Sequence, residues 1–438
     1  MLAVVWEGDV KRHSITPRHN WQKIVEDQGF PFHTSGVRPA DGSGSGTYWA
    51  EDAYYEFSLA EIEQIEAATE ELQRISLAAV NYVCGRPDLM QKLAIPERFH
   101  DFVKRSWSRR DPHVYGRFDL GYDGKSPPKL LENNADTPTT LIESSVIQWH
   151  WLEQVYGGST GGSLDQFNSI HEKLIARCGA LAPLMTKGTP LYFLAIKDNL
   201  EEFATVEYLR DVAMQGGCLT EFLYLQDLGW HPPKRRFTDL QEMPIDYAFK
   251  LYPWEWMIRE EFAPNLLESD ECTGWIEPPW KAILSNKGIL PILWEMFPGH
   301  PNLLPAYWGE HPGLGGEYIT KPILGREGAN MKVVSTDPAR RMETAGEYGT
   351  EPKIFQKLFR LPQVDGRHFM TIGSWETSLQ GCVSARIHSP SSSTQAGLSR
   401  MCSSTSTNEK VRPSHLQPAA SRSRFLHSVC GILGGWKY

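Results

Sequence analysis

The chain has 438 residues, is 41% hydrophobic and 22% charged, and carries a formal net charge of −9. This is too apolar for wholesale disorder, and it is enough material for two or three domains or one large composite domain. The longest mostly apolar stretch, residues 288–297, is about half of a membrane span, and Leu2–Trp6 is too short for a signal-peptide core, so a soluble cytoplasmic protein is expected.

Seven Cys are scattered without a C-x-x-C pair, which fits reduced thiols and argues against a Cys-ligated zinc site. The charge is unevenly spread. From Ser384 onward there are seven Lys/Arg and one acid, Glu409, so the preceding residues are strongly acidic. An acidic body lacks the basic surface that phosphate backbones require, which excludes nucleic acid as a main partner.

Along the chain, residues 1–13 read as an N-terminal extension, and the stretch from Gly36 to Thr47 reads as a flexible insert. Ser58 and Glu61 form a capping box that opens a helix, with Ile62, Ile65, Leu72, Ile75 and Ala79 at helical spacing through about Val83. The alternating run from Tyr115 to Tyr122 predicts a strand, the following DGKSPP a turn, and Lys129–Leu131 a second strand. A helix is predicted from Thr139 or Thr140 through Tyr156, ended by Gly157-Gly158. Strands are expected at Leu191–Ile196, Glu221–Leu225, Tyr318–Leu324, Lys332–Ser335, Ile354–Leu358 and Phe369–Ile372. Strands interleaved with helices make the chain α/β or α+β. Residues 379–438 change character, with thirteen Ser between Ser384 and Ser428, and are expected to be disordered.

Two clusters carry candidate chemistry. On an extended strand Arg117 and Asp119 share one side, and so do Glu132 and Asn134. A hairpin would bring the two pairs together, and two carboxylates with an amide oxygen suit Mg²⁺; the rival reading is a solvated acidic rim. The second cluster is Lys321-Pro322 followed by the turn GREGAN at 325–330, where a cation and backbone N–H groups can meet phosphate. A plain hairpin turn fits the same residues. Lys287 is a further candidate cation or an ordinary surface Lys. The fifteen Trp could supply sugar platforms for a glycosidase, but most fit a core.

Longer motifs resemble a known family. RFDLGYDG and KLLENNADTPTT at 117–140, YWAEDAYYEFS at 48–58, DQFNSIHEKL at 165–174, KLYPWEW at 250–256, NKGILPILWEMFPGHPNLLPAYW at 286–308 and KPILGREGAN at 321–330 resemble the glutathionylspermidine synthase family, chiefly its stand-alone acid–amine ligases. The likeness spans about residues 14–378 and lacks the family's amidase domain. It implies an ATP-grasp-like composite fold and an ATP- and Mg²⁺-dependent ligase. Such an enzyme joins small-molecule carboxylate and amine substrates through an acyl phosphate.

On that resemblance Asp119, Glu132 and Asn134 become Mg²⁺ ligands, and Arg117 stabilises the transferring phosphoryl group. Phe118 and Asp119 join Arg117 at the nucleotide, and Lys287 and Lys321 bind its phosphates. Glu327-Gly328 covers it, and Gln356, Lys357, Leu358 and Phe359 hold adenine. Thr137 and Thr139 are candidate hydroxyls for the acid substrate; Asp198, Glu201 and Glu202 are candidates for the amine. Two departures stand out. Trp256 replaces a Thr of the bifunctional synthase, and no Arg-Glu-Asp stretch follows Gly373-Ser374-Trp375. The second departure points to a frameshift or an unusual splice near residues 376–383, with a genuine disordered extension as its rival. An impaired ligase is then expected, and the alternative is a nucleotide-binding pseudoenzyme.

Overall fold

A computed structural model describes residues 10–34, 48–157, 164–166, 169–364, 367–368, 370–376, 383–389, 394–399 and 427–433, with side chains described through residue 362. The insert predicted at Gly36–Thr47 and the proposed frame change therefore fall outside, or almost wholly outside, the described residues. Much of the Ser-rich tail does too; its described stretches, Val383–Ser389, Thr394–Ser399 and His427–Leu433, are backbone strands.

β1 (Lys11–Ser14) pairs antiparallel with β2 (Trp49–Ser58), with Lys11 opposite Glu56. β2 runs directly into α1 (Leu59–Cys84). The capping box forms as predicted: the Glu61 N–H donates to Ser58 Oγ at 3.3 Å, and the Ser58 N–H donates to Glu61 Oε2 at 2.7 Å. The stripe Ile62, Ile65, Leu72, Ile75, Ala79 and Val83 is fully buried in the main core. Each such Leu or Ile contributes about 1.5–3 kcal/mol relative to exposure.

Three sheets position the cleft. The first contains β3 (Tyr115–Gly121), paired antiparallel with β4 (Lys129–Asn134) on one side and with Met370–Glu376 on the other. The second is parallel. It contains β5 (Leu191–Ala195), β6 (Thr220–Tyr224), β7 (Tyr247–Lys250) and β8 (Gly274–Ile276) in the order β8-β7-β5-β6. α2 (Leu200–Gln215) makes the crossover from β5 to β6. The third is antiparallel, with Glu317–Pro322 (β9) between Lys332–Ser335 (β10) and Lys353–Lys357 (β11). All six predicted strands occur, shifted by a few residues.

The predicted helix at 139–156 is modified. It opens at residues 141–142 and passes through a π turn at Glu143–Ile147 before the α-helical Gln148–Tyr156, and Gly157 ends it at φ 57°. Most of the flagged tryptophans are core, as expected: Trp107, Trp151, Trp254, Trp275 and Trp280 are buried, whereas Trp149 and Trp256 are exposed. No helix among the described residues is long and apolar enough to cross a membrane.

Candidate active site

The hairpin builds the cleft floor. Arg117 lies opposite Asn134 and Asp119 opposite Glu132, so alternation turns all four toward one face, while Phe118 between them is fully buried on the other. The register slips after Asp119, so that Leu120 pairs with Leu130 and Leu131 is the extra residue of a bulge. The freed Leu131 carbonyl accepts from Lys321 Nζ at 2.9 Å. The bulge thus gives the Lys on β9 a fixed partner beside Glu132.

Charges on the floor are tightly interlocked. Arg117 donates to both Asp119 oxygens, at 2.9 and 3.2 Å, and to Thr140 Oγ1 at 3.4 Å. Asn134 Nδ2 donates to Asp119 Oδ2 at 3.3 Å and Glu132 Oε1 at 3.0 Å. Lys287 Nζ lies 2.9 Å from Glu132 Oε2 and donates to the Gly325 carbonyl at 2.6 Å. Burial pushes Asp119 above the usual carboxylate range, against the pull of Arg117. For Glu132 the balance reverses: burial opposes its charge, but Lys287 and Lys321 hold its carboxyl down. Burial lowers Lys321 to about 8.

One cleft of about 230 Å³ is lined by Arg117, Asp119, Glu132, Asn134, Thr137, Thr139, Glu201, Glu202, Lys287, Glu327 and Gly328, all singled out in the sequence. Glu327 and Gly328 adopt left-handed φ values of 52° and 70°, which bend the 325–330 loop over the cleft. Arg326 fastens that loop. Its guanidinium donates to Glu255 Oε1 at 2.9 and 2.5 Å and to Thr137 Oγ1 at 3.0 Å, and lies 5.4 Å from the Trp256 ring centroid.

The far end is acidic. Glu201 and Glu202 open α2, where Asn199 caps the helix by accepting from the Glu202 N–H at 3.0 Å. Burial, then repulsion from Glu143 and Glu327, raises Glu201 to about 7, and burial raises Glu202 to about 7.

Other predicted residues stand elsewhere. Asp198 occupies a left-handed turn (φ 64°) and does not line the cleft. Buried Gln356 donates to the Leu130 carbonyl at 3.1 Å, Lys357 is exposed, and Leu358 packs against Ile319, Met331 and Val333. Phe359 lies over Gly121, where an added Cβ would come within 2.3 Å of its ring. Reasoning from sequence assigned no role to Glu255, Ser285 and Asn199, which line the cleft. The signal for Glu255 lay in the KLYPWEW motif; for Asn199 it lay in its position before a helix.

Two carboxylates and a carboxamide form a hard-oxygen donor set of the kind Mg²⁺ accepts. Among the described residues no group of three or more His, Cys, Asp or Glu side chains is gathered to hold a metal ion. Asn134 is the third polar side chain beside Asp119 and Glu132. A half-turn of its amide presents Oδ1 where Nδ2 now meets both carboxylates.

Comparison with known proteins gives the chain's family. The sequence matches the family described as glutathionylspermidine synthase preATP-grasp over residues 12–386. It is 38% identical to a Haemophilus influenzae protein named as an acid–amine ligase, covering 81% of this chain and 88% of that one. It is 28% identical to the bifunctional glutathionylspermidine synthetase/amidase of Escherichia coli, covering 73% of this chain and 54% of that one. It is also 28% identical to the trypanothione synthetase of Crithidia fasciculata, covering 68% of this chain and 48% of that one. The chain thus spans about half the length of these last two relatives. Its fold is similar to that of a glutathione synthetase-like effector from Globodera pallida, with a TM-score of 0.50, 11% identity, and coverage of 86% of this chain and 94% of that one. The chain belongs to the glutathionylspermidine synthase family of ATP-dependent acid–amine ligases, enzymes that form carbon–nitrogen bonds.

Proposed function

We propose that the protein joins a small-molecule carboxylate to an amine at the expense of ATP, through an acyl phosphate. The observation that carries this is a cleft with an interlocked cation–carboxylate floor at one end and paired acids at the other. Asp119, Glu132 and Asn134 would hold Mg²⁺, which screens phosphate charge when bound. Arg117 faces the same point and neutralises charge that spreads over the transferring phosphoryl oxygens. Lys287, on the turn before residue 289, and Lys321, on β9, hold the phosphates; residues 356–359 do not line this cleft and take the adenine role on the family resemblance alone. The acid substrate lies by Thr137 and Thr139, and its carboxylate takes the γ-phosphoryl group with ADP as leaving group. The amine arrives past Glu201 and Glu202, attacks the acyl carbon and expels phosphate. Glu327 and Gly328 close over the cleft, because water would hydrolyse the acyl phosphate.

Trp256 narrows the cleft where the bifunctional synthase carries Thr, so we infer an acid other than glutathione. The free Cys84, Cys218 and Cys272 suit a reducing cytoplasm. We further propose that the sequence after Glu376 lowers turnover. Equal turnover from chains carrying this tail and a family-like tail would contradict that.

The test is ADP release from ATP and Mg²⁺ across a panel of short peptides paired with polyamines, with ¹⁸O in the peptide carboxylate. Release that needs both partners, with ¹⁸O passing into inorganic phosphate, is the expected result. Mg²⁺-dependent ATP binding without release on any pair would favour a nucleotide-binding pseudoenzyme.

A further inference from the structure

Beneath the cleft lie four charged side chains with no exposure at all: Asp136, Lys250, Glu277 and Lys281. None of them lines the cleft. They form two ion pairs. Lys250 Nζ lies 2.5 Å from Asp136 Oδ1, and Lys281 Nζ pairs with Glu277 Oε2.

Each pair spends its remaining hydrogen bonds on backbone that carries site residues. Asp136 Oδ2 accepts from the Trp254 N–H at 2.7 Å, and Lys250 donates to the Tyr252 carbonyl at 2.9 Å. The end of β4, two residues past Asn134, is thereby tied to the turn that presents Glu255 and Trp256. The N–H groups of Ala135 and Asp136 also donate to Ser285 Oγ, at 3.1 and 2.7 Å, on the segment leading to Lys287. The second pair grips the start of β3. Glu277 Oε1 accepts from the Val114 and Tyr115 N–H groups, both at 3.0 Å, and Lys281 donates to the Tyr115 carbonyl at 2.6 Å. Tyr115 is two residues before Arg117.

We propose that this buried quartet is a positioning frame for the reaction read above. It fixes the entry of β3 and the exit of β4, and so the convergence of Arg117, Asp119, Glu132 and Asn134. It also fixes the Glu255–Trp256 wall relative to that floor. Stability alone is a weak reason for such pairs, because apolar replacements of similar volume often fold as well or better. Orientation is what an apolar replacement cannot supply. The inference rests on the proposed Mg²⁺ and ATP site.

The experiment is calorimetric titration of the full chain with ATP, in Mg²⁺ and in EDTA, alongside the thermal midpoint. The variants are the charge-neutral pair Asp136→Asn with Lys250→Met and, separately, Glu277→Gln with Lys281→Met. The wild type is expected to bind ATP more tightly in Mg²⁺. The folded variants should lose at least tenfold of that enhancement while keeping their affinity in EDTA within about threefold. A folded variant with the full enhancement would overturn the frame, and so would failure of both variants to fold, which is the behaviour of a purely stabilising element. Absence of Mg²⁺-dependent binding in the wild type would instead overturn the site reading.

Discussion

The two ends of the cleft solve opposite electrostatic problems with the same residue types. On the floor, Glu132 faces Lys287 and Lys321 and stays charged despite burial, while Asp119 is gripped by Arg117. At the far end burial raises Glu201 and Glu202 to about 7; Glu143 and Glu327 add repulsion at Glu201, and Arg326 offsets only part of the burial at Glu202. On the proposed reading, the floor holds oxygens in place for a metal and phosphates. The acidic end is short of positive charge, which an ammonium substrate would bring. Burial raises Asp119, Glu201 and Glu202 alike, and of these four carboxylates only Glu132 is held down, by the two lysines packed against it.

The largest effect is expected from breaking the floor. Asp119→Asn should lower Mg-ATP-dependent turnover by about 100-fold or more, the scale of removing a transition-state electrostatic group. Its circular dichroism should stay native, and unchanged turnover would remove Asp119 from the metal. Lys321→Met takes away one phosphate cation and leaves Asp119 and Glu132 in place. The apparent KM for ATP should rise roughly tenfold, in line with losing a charge-assisted contact of about 1.5–3 kcal/mol. A smaller change, about three- to tenfold, is expected for Arg326→Ala, because it frees the loop without touching the floor. Basal ATP hydrolysis should rise in that variant as water enters, and hydrolysis at the wild-type rate would contradict a closing role for the loop.

The smallest effect sharpens the comparison through pH. Glu201 and Glu202 have native values near 7, above the ordinary 4.5. Their protonated forms therefore favour the fold: that contribution is complete below pH 4.5 and is lost as pH rises through 7. The double variant Glu201→Gln, Glu202→Gln should be spared this loss. At pH 8.5 it should melt about 1–2 °C above the wild type, as about 1 kcal/mol does in a chain this long, with little difference at pH 5. Equal midpoints at both pH values would show that the acidic end is not strained by its own charge.

Much of the floor was legible before any coordinates. Strand alternation places Arg117 with Asp119 and Glu132 with Asn134, and the Asp-Gly and Pro-Pro turn residues between them supply the hairpin. The long helix was equally plain, because its cap and its apolar spacing are local signals. The bulge at Leu131 was not, since it depends on where Lys321 arrives from β9. At the start of α2 the sequence offers three nearby acids; the left-handed turn at Asp198 decides that only Glu201 and Glu202 face the cleft. Least legible was the buried frame. Lys250 and Asp136 are 114 residues apart, and a lone Lys or Asp at a strand end reads as surface until the fold closes over it.

The most direct test of the floor as a metal and nucleotide site uses Mn²⁺ as a paramagnetic stand-in for Mg²⁺. The free-Mn²⁺ signal would be followed as the wild type and Asp119→Asn are titrated in the presence of ATP. One tightly bound Mn²⁺ per wild-type chain, with binding at least tenfold weaker in Asp119→Asn, is the expected result. Equal Mn²⁺ binding by the two chains would contradict the account.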